Sequence, residues 1–258
     1  MKSITLPISL CLITFVIFLQ QLCSGFQVQS RTFSRQATLL HSKDDMSNVD
    51  EYRNGVTEFL SNFMQRTPEE SGENVDPLSD IDFSAPKVSK MSLERLAATL
   101  DAELYEKEWF VSGNVNPIYF DDNFQFQDPD VKLTGVEDYA RGVKKLFNQE
   151  TSRAEIISTL VNTTIPNTIT VTWRLSGGVN IGPGLDIKPY ICYTDFTVDE
   201  DSGLIVFQED TFDIPSWDIL LSALFPFLIG RVTANPAPEV VPRVVEMPAA
   251  EKQFFGIF

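Results

Sequence analysis

Two stretches of the chain place apolar residues at the period of an amphipathic helix. The first follows Ser92 and runs towards Trp109. Its apolar positions are Leu93, Leu96, Ala97, Leu100 and Leu104. The second follows Thr134 and Glu137, whose spacing matches a capping box. Its apolar positions are Val136, Tyr139, Ala140, Val143, Leu146 and Phe147. The pattern therefore predicts one helix from about residue 92 and another after residue 134.

From Arg153 onward the apolar positions follow the period of strands, and the chain is rich in Ile, Val, Thr, Phe and Tyr. The predicted strands cover residues 154–164, 168–176, 187–198 and 204–213. Turn-forming residues separate them, including the glycine-rich stretch GGVNIGPG and the acidic stretch DEDSG. Helices followed by a long antiparallel meander predict the α+β class.

A last apolar stretch covers residues 217–229 and is broken by Pro226. It is too short to cross a bilayer, so the sequence favours a helix that covers the sheet. It contains more apolar side chains than one helix face can bury, so we expect some of them to contact a partner or a membrane surface. The tail from Asn235 is rich in proline and is predicted to be irregular.

The N-terminal 45 residues have the composition of a targeting sequence. Lys2 precedes an apolar core whose densest part, residues 10–19, has the length of a signal-peptide core, although an uncleaved anchor is the alternative. Residues 26–45 then carry Arg, Ser and Thr with no acid before Asp44. With Phe26 at the junction, this arrangement resembles the bipartite plastid presequence of diatoms and related algae. The resemblance implies import into a plastid, with simple secretion as the alternative.

These features divide the chain into five predicted regions. They are a signal peptide (1–25), a plastid transit segment (26–45), a flexible linker (46–90), a folded domain (91–230) and a Pro-rich C-terminal tail (231–258). The linker is rich in acids, Ser, Asn and Pro, which predicts a flexible connection. Within it, Val56, Phe59, Leu60 and Phe63 stand at helical spacing and could form one short helix.

Charge and histidine content exclude several classes of function. The chain has 20 Lys and Arg against 36 Asp and Glu, a net charge of −16, so it lacks the basic footprint of a nucleic-acid-binding protein. Its single histidine, His41, lies in the predicted presequence, which excludes Ser-His-Asp, Cys-His and His-ligated metal chemistry in the folded part. Beyond the presequence Cys192 has no histidine partner, which favours a buried apolar role. The acidic runs lack the spacing of a calcium loop, so we expect no dedicated metal site.

Several short motifs occur in order along the predicted domain. They are Ile118-Tyr119, Phe126-Gln127-Asp128-Pro129, Gly135 with Tyr139, Trp173-Arg174-Leu175, Tyr190 to Phe196, Gly203-Leu204-Ile205-Val206, Asp210-Thr211-Phe212-Asp213 and Trp217-Asp218. With the order of elements, they resemble an uncharacterised plant, algal and cyanobacterial family of the nuclear-transport-factor-2-like (SnoaL-like) fold. The resemblance implies a cone in which N-terminal helices pack against a curved antiparallel sheet around a pocket. That family often has a histidine before the aspartate of its last strand, where this chain has Gln208 and Glu209.

Enzymes on that fold use a pocket carboxylate as a base with a tyrosine or an acid as hydrogen-bond donor, which requires no histidine. The resemblance therefore implies a set of candidate catalytic residues. They are Asp128, Tyr193, Asp195 and Asp210, with Tyr119 and Asp121 as further members of the wider set. The candidate pocket residues are Tyr119, Phe126, Trp173, Tyr193 and Phe212.

Strand parity leaves two arrangements open for the strand at 187–198. Tyr193 and Asp195 share one face and could point into a pocket together. Alternatively, the face that includes Tyr190 and Phe196 packs the core and Asp195 is solvated, as an acid on a half-buried strand usually is.

Other candidates also have structural explanations. Asp128 before Pro129 is explained by a turn that positions the following helix. Asp210 and Asp213 cannot both face inward on a regular strand. Trp173 has apolar neighbours on its own face, which favours a place in the core or the pocket wall over catalysis.

The sequence predicts two kinds of function. The first is a non-enzymatic plastid module that binds an apolar small molecule or a photosynthetic or membrane-associated protein, with peripheral thylakoid contact through residues 217–258. The alternative is a histidine-free isomerase, cyclase or dehydratase that uses a pocket Asp and Tyr on a lipophilic substrate. No cofactor is expected in either case. The expected location is the stroma or thylakoid surface in a complex-plastid alga. A raised carboxyl pKa in a closed pocket would favour the enzyme, and a pocket filled by its own aromatic residues would favour the module.

Overall fold

The computed structural model describes residues 76–181 and 184–243. The predicted signal peptide, transit segment and linker helix, and the last fifteen residues, lie outside the described residues. In the described part, two α-helices precede the first strand, one lies between the second and third strands, and one follows the last strand. The α+β class predicted from the sequence, with N-terminal helices packed against a curved sheet, is confirmed.

Helix α1 (Leu93–Lys107) begins where the sequence predicts. The hydroxyl of Ser92 accepts a hydrogen bond from the backbone N–H of Arg95, which caps the first turn. The stripe at Leu96, Ala97, Leu100 and Leu104 is buried. The helix ends because Glu108 adopts a left-handed conformation with a φ of 47°, and a short helix α2 (Trp109–Ser112) follows.

Helix α3 (Val136–Leu146) is confirmed, but the capping box predicted at its start is wrong. Thr134 ends strand β2 (Lys132–Thr134), and the residue before the helix is Gly135, with a φ of 90°. The N–H of Gly135 donates to the carbonyl of Phe124 at 2.7 Å. The chain leaves the sheet and enters the helix at this one residue, which needs the positive φ that glycine adopts without strain.

The four predicted strands are present, with their ends shifted by a few residues. They are β3 (Arg153–Val161), β4 (Thr168–Val179), β5 (Leu185–Val198) and β6 (Ile205–Phe212). Strand β1 (Phe120–Gln127) and the short β2 were not predicted. The pairing of β1 is irregular between Phe120 and Gln125, which interrupts the alternation of buried and exposed positions that would have indicated a strand.

The strands form one sheet in the order β2-β1-β6-β5-β4-β3. Neighbouring strands are antiparallel except β1 and β6, which are parallel. The expectation of a wholly antiparallel sheet is therefore wrong at this pair. A parallel pair needs a long connection, and α3 with four strands supplies it. As a result, the ends of β1 and β6 lie side by side at the same edge of the domain.

Aromatic side chains fill the space between the N-terminal helices and the inner face of the sheet. Phe110 of α2 stacks on Trp173 of β4 with ring centroids 4.6 Å apart, and it lies 6.2 Å from Phe196 of β5. Trp109 is completely buried and meets Phe120 edge to face. This part of the interior is therefore a packed core, held by dispersion contacts and the burial of large rings.

Helix α4 (Ser216–Leu224) lies where the sequence predicts a covering helix, and a buried ion pair anchors it to the sheet. Asp218 of α4 pairs with Lys188 of β5, and their side chains are 4% and 2% exposed. The backbone of Ala234 completes the anchor: its carbonyl accepts from Lys188 Nζ, and its N–H donates to Asp218 Oδ2, both at 2.7 Å. The ion pair therefore joins β5, α4 and the chain segment at Ala234.

The outer side of α4 and the turn after it are apolar and accessible. The exposed fractions are 39% for Trp217, 43% for Leu220, 49% for Leu224 and 66% for Phe227. The surplus of apolar surface that the sequence predicts is therefore present. Within the described ranges, none of the helices has the length and hydropathy needed to cross a membrane.

Segments on either side of the predicted domain are bound to it. Arg141 of α3 makes two hydrogen bonds to the carboxylate of Asp76, at 2.8 and 2.9 Å. On the C-terminal side, Arg243 makes two hydrogen bonds to the carboxylate of Asp101 in α1, at 2.8 and 2.6 Å. The ordered unit therefore extends beyond residues 91–230 in both directions.

Candidate active site

Strand β6 carries one carboxyl into the interior. Its side chains alternate, so Gln208 and Asp210 face inward while Glu209 and Thr211 face outward. Gln208 is completely buried and Asp210 is 8% exposed. Asp213, just beyond the strand, is exposed. Of the two aspartates at this end of β6, only Asp210 is therefore internal.

Asp210 is the end point of a directed chain of hydrogen bonds. The indole N–H of Trp173 donates to the hydroxyl oxygen of Thr194 at 3.0 Å, and this hydroxyl donates to Asp210 Oδ1 at 2.7 Å. Because an indole can only donate, it directs the Thr194 proton towards the carboxyl. Gln208 Nε2 donates to the same Oδ1 at 3.1 Å and to the hydroxyl oxygen of Tyr139 on α3 at 3.2 Å. In the described part, Asp210 Oδ2 accepts no hydrogen bond.

Asp128 lies just beyond β1, on the inward side and next to Asp210. Phe126 pairs with Gln208 in the parallel register, and each aspartate is two residues further along its own chain. Asp128 Oδ1 accepts hydrogen bonds from the two backbone N–H groups that follow Pro129, which makes the predicted turn. The turn leads into β2 rather than into a helix, so that part of the expectation is wrong. The described residues give Asp128 Oδ2 no hydrogen bond.

Burial raises the pKa of Asp210 to about 7. The hydrogen bonds from Thr194 and Gln208 oppose this rise, and the negative charges of Asp128 and Asp195 add to it. Burial also raises the pKa of Asp128 to about 6, against the effect of the two N–H groups in its turn. Around neutral pH, Asp128 is mostly ionised while Asp210 is poised between its two forms. No lysine or arginine of the described chain contributes to either shift.

Aromatic residues surround this pair of carboxyls, hereafter the acid pair. Tyr139 packs against Phe126 with centroids 4.9 Å apart, and Tyr190 meets the edge of Phe212 at 5.5 Å. Burial, together with nearby acids, raises the pKa of both tyrosines well above the usual value, so their hydroxyls stay protonated. Burial raises the pKa of the Cys192 thiol in the same way, which leaves it a poor nucleophile.

Helix α4 borders the acid pair. At its first residue, Ser216 Oγ donates to Asp130 Oδ2 at 3.0 Å, which ties the helix to the turn that follows β1. Its Asp218 ties it to Lys188, two residues before Tyr190 on β5. The first turn of α4 is therefore tied both to the turn that contains one of the carboxyls and to the strand that contributes a tyrosine.

Tyr193 and Asp195 do not belong to the site. Both lie on the outer face of β5, where Tyr193 is 41% exposed and Asp195 accepts a hydrogen bond from the hydroxyl of Thr170. The inner face of the same strand carries Cys192 and Thr194, which are completely buried. Of the two arrangements that strand parity left open, the one in which Tyr193 and Asp195 share a pocket is therefore wrong. The face that includes Tyr190 and Phe196 packs the core.

The other candidate pocket residues lie in different places. Tyr119 is buried, and its hydroxyl donates to the buried Glu103 of α1 at 2.8 Å. Trp173 belongs to the packed core and reaches the acid pair only through the hydrogen bonds of its indole N–H. Phe126 and Phe212 lie beside the two tyrosines of the site.

Sequence reasoning missed four polar residues of the site, of which Tyr190 was assigned only to a face that packs the core. Gln208 shares a face with Asp210, so its spacing was a usable signal. Thr194 stands opposite Asp210 in the register of β5 and β6, which the sequence does not specify. Tyr139 is separated by 69 positions in the sequence from Gln208, whose amide it contacts. Its helical spacing alone predicted only that it packs in the core.

No protein-family model and no curated protein matches this chain. Solved structures resemble it at low identity. An NTF2-like protein of unknown function from Burkholderia pseudomallei K96243 is 12% identical, with a TM-score of 0.37 over 52% of this chain and 99% of its own. A Jannaschia protein with the provisional description of a SnoaL-like polyketide cyclase is 14% identical. Its TM-score is 0.36, over 59% of this chain and 96% of its own. An NTF2-like protein from Anabaena variabilis is 15% identical. Its TM-score is 0.35, over 50% of this chain and 96% of its own. Such likenesses concern the fold alone and carry no argument about activity.

Proposed function

We propose that the chain is a histidine-free acid–base enzyme that isomerises, cyclises or dehydrates an uncharged lipophilic molecule. Asp210 is the acid and Asp128 the base. The supporting observation is that two carboxyls face the same interior beside protonated tyrosines, and that each has an Oδ2 atom to which no described residue donates a hydrogen bond. With pKa values raised to about 7 and about 6, the pair offers a proton donor and a proton acceptor at neutral pH.

The proposed chemistry moves protons at two places on the substrate. Asp128 takes a proton from carbon, and the electrons of that C–H bond enter a new double bond. Asp210 delivers its proton either to another carbon, in isomerisation, or to a departing hydroxyl that leaves as water, in dehydration. The hydroxyl of Tyr190 donates to the substrate oxygen. Because the carboxyls are neighbours, the proton gained by Asp128 can return to Asp210.

The surroundings of the acid pair indicate the charge and polarity of the substrate. Aromatic side chains pack beside the acid pair, and such surroundings suit an apolar molecule. The nearest basic residue on β5, Lys188, is already paired with Asp218. A phosphate or carboxylate would approach two acids with no described cation to offset the repulsion. An uncharged substrate is therefore favoured.

Proton exchange provides a test that needs no known substrate. We expect the protein, incubated in D2O with a lipophilic extract of its source cells, to cause some compounds to gain deuterium or lose water, as detected by mass spectrometry. Asp210→Asn should abolish this change because it removes the acid. Asp128→Asn should do the same while keeping the turn, since asparagine accepts the same backbone hydrogen bonds.

The matched control is Asp213→Asn, an exposed carboxyl three residues from Asp210. It should leave the exchange at the wild-type level. An extract unchanged by the wild-type protein, or an Asp210→Asn variant as active as wild type, would contradict the proposed function.

A second candidate function rests on the outer side of α4. The exposed Trp217, Leu220, Leu224 and Phe227 support a non-enzymatic plastid module that attaches to a thylakoid surface or to a protein there. The net charge of −16 opposes adsorption to anionic lipid, so apolar contact would have to supply the attachment.

Sedimentation tests this attachment. We expect the protein to sediment with thylakoids and to resist a high-salt wash, because apolar contacts are not screened by salt. The double variant Leu224→Ser with Phe227→Ser should move to the supernatant. Leu160→Ser, which removes a residue that is 64% exposed on β3, should not. Wild-type protein found wholly in the stromal supernatant at low salt would exclude this function.

A further inference from the structure

The side-chain amide of Gln208 is satisfied at one end only. Its Nε2 uses both hydrogens, one towards the hydroxyl oxygen of Tyr139 and one towards Asp210 Oδ1. Its Oε1 accepts no hydrogen bond from residues 76–181 or 184–243, although the side chain is completely buried. A buried acceptor without a partner is costly, so the arrangement needs an explanation.

A second group beside this amide also lacks a partner. Tyr139 accepts from Gln208, but no described residue accepts the proton of its own hydroxyl. If the amide turned through 180°, Oε1 would accept that proton. The same turn would bring Oε1 against Asp210 Oδ1, where two acceptors repel unless the carboxyl is protonated. A protonated Asp210 would instead donate to Oε1.

We propose that Gln208 is a positioning residue that serves both protonation states of Asp210 by turning its amide. With Asp210 ionised, the amide presents N–H groups to the carboxylate and to Tyr139, as in this structure. With Asp210 protonated, it presents its oxygen, which accepts from Asp210 and Tyr139 together. The last torsion of glutamine is soft and roughly two-fold, and the turn changes the side-chain volume very little.

No other neighbour of Asp210 can make this exchange. The proton of Thr194 is committed because Trp173 donates to its oxygen. The titratable groups that act on Asp210 or on its neighbours Tyr139, Tyr190 and Cys192 are acidic, and they are Asp128, Asp195 and Asp213. The three aspartates add negative charge, and Thr194 donates its proton. Among the side chains next to Asp210, only the amide of Gln208 can turn to place either a donor or an acceptor against the carboxyl.

By turning its amide, Gln208 would allow Asp210 to gain and lose a proton inside the protein. The catalytic use of this switch rests on the proposed function. When Asp210 releases its proton, the new carboxylate can gain an N–H from Gln208 without any movement of the backbone. The reverse turn then supports the return of the proton. The amide switch itself is a property of the folded protein and needs no substrate.

Nuclear magnetic resonance of the wild-type protein tests the switch directly. The Cγ signal of Asp210 and the Nε2–H signals of Gln208 are followed from about pH 4 to about pH 9, which covers an aspartate with either an ordinary or a raised pKa. We expect both sets to change with one midpoint, and the Gln208 N–H protons to move downfield as Asp210 ionises. Constant Gln208 signals throughout the Asp210 titration would overturn the proposal.

A variant gives a second, independent result. Gln208→Met keeps the length of the side chain and removes both ends of the amide. We expect the midpoint of the Asp210 titration to move about one pH unit higher, because a hydrogen bond to a carboxylate is stronger than one to a neutral acid. Gln125→Met, an exposed glutamine on β1, is the control and should leave the midpoint in place. An unchanged midpoint in Gln208→Met would also overturn the proposal.

The outcome is separable from that of the proposed function. If the two signals titrate together and Asp210→Asn still supports exchange in D2O, the enzyme hypothesis fails and the switch stands. If Asp210 is required for exchange but Gln208 does not titrate, the switch fails and the enzyme hypothesis stands. The wild-type titration decides the matter even if Gln208→Met does not fold.

Discussion

Asp210→Asn is expected to raise the free energy of unfolding by about 4 kcal/mol at about pH 8 and to change it little at about pH 4. An unfolded aspartate titrates near pH 3.9. Between about pH 4 and about pH 7, the folded protein therefore holds a proton that the unfolded chain has released, and stability falls by about 1.4 kcal/mol per pH unit. Above about pH 7, the wild-type protein keeps the full loss of unfolding free energy caused by the buried Asp210 charge.

Asparagine avoids this cost because it has the shape of the acid and does not ionise. Its side-chain oxygen can accept from Thr194 and from Gln208 Nε2, as Asp210 Oδ1 does. Urea denaturation at several pH values measures the difference between variant and wild type at each one. The exposed Asp213→Asn is the control and should show no comparable gain. A gain of the same size at both ends of the pH range would show that the ionisation of Asp210 is not its cause.

The same substitution is expected to stabilise the protein and to abolish its proposed activity. A charge kept in an unfavourable place is common at active sites, where stability is given up for function. If Asp210 were only a structural residue, its removal would be expected to weaken the hydrogen-bonded network with Thr194 and Gln208. A gain would therefore show that the cost of burying the Asp210 charge exceeds what its hydrogen bonds to Thr194 and Gln208 contribute.

Lys188→Met is expected to lower the free energy of unfolding by about 3–5 kcal/mol, because it leaves the buried carboxylate of Asp218 without its partner. The methionine fills most of the space of the lysine stem, so the loss comes from the charge. Hydrogen exchange should rise in α4, which Asp218 anchors. Thermal or chemical denaturation with hydrogen-exchange mass spectrometry measures both effects.

A double variant identifies the cause. Lys188→Met with Asp218→Asn removes both charges, and the asparagine oxygen still accepts from the N–H of Ala234. We expect it to recover most of the lost stability, since a neutral pair needs no charge compensation. Lys87→Met is the surface control, because its partner Asp122 is largely exposed and such pairs contribute less than about 1 kcal/mol. A double variant no more stable than Lys188→Met would point to lost packing instead.

The sequence by itself determined most elements of this domain. Helices α1 and α3 carry long apolar stripes, and β3 to β6 carry long runs of branched and aromatic residues, so local periodicity was a sufficient signal. Strand β1 was missed because its pairing irregularity falls inside the strand. Its partner β6 also lies far along the chain, and no local pattern specifies a parallel pair over that distance.

For the candidate site, the sequence determined which side chains share a face and the tertiary structure decided which face is inside. Parity grouped Tyr193 with Asp195, and Gln208 with Asp210, equally well. The helices cover the face of the sheet that includes Asp210, so this carboxyl is buried, while Asp195 on the other face is only partly buried. Burial depends on contacts between elements distant in the chain, and it is burial that raises the pKa of Asp210. A list of aspartates could therefore be written from the sequence, but which of them is poised to exchange a proton follows only from the packing around it.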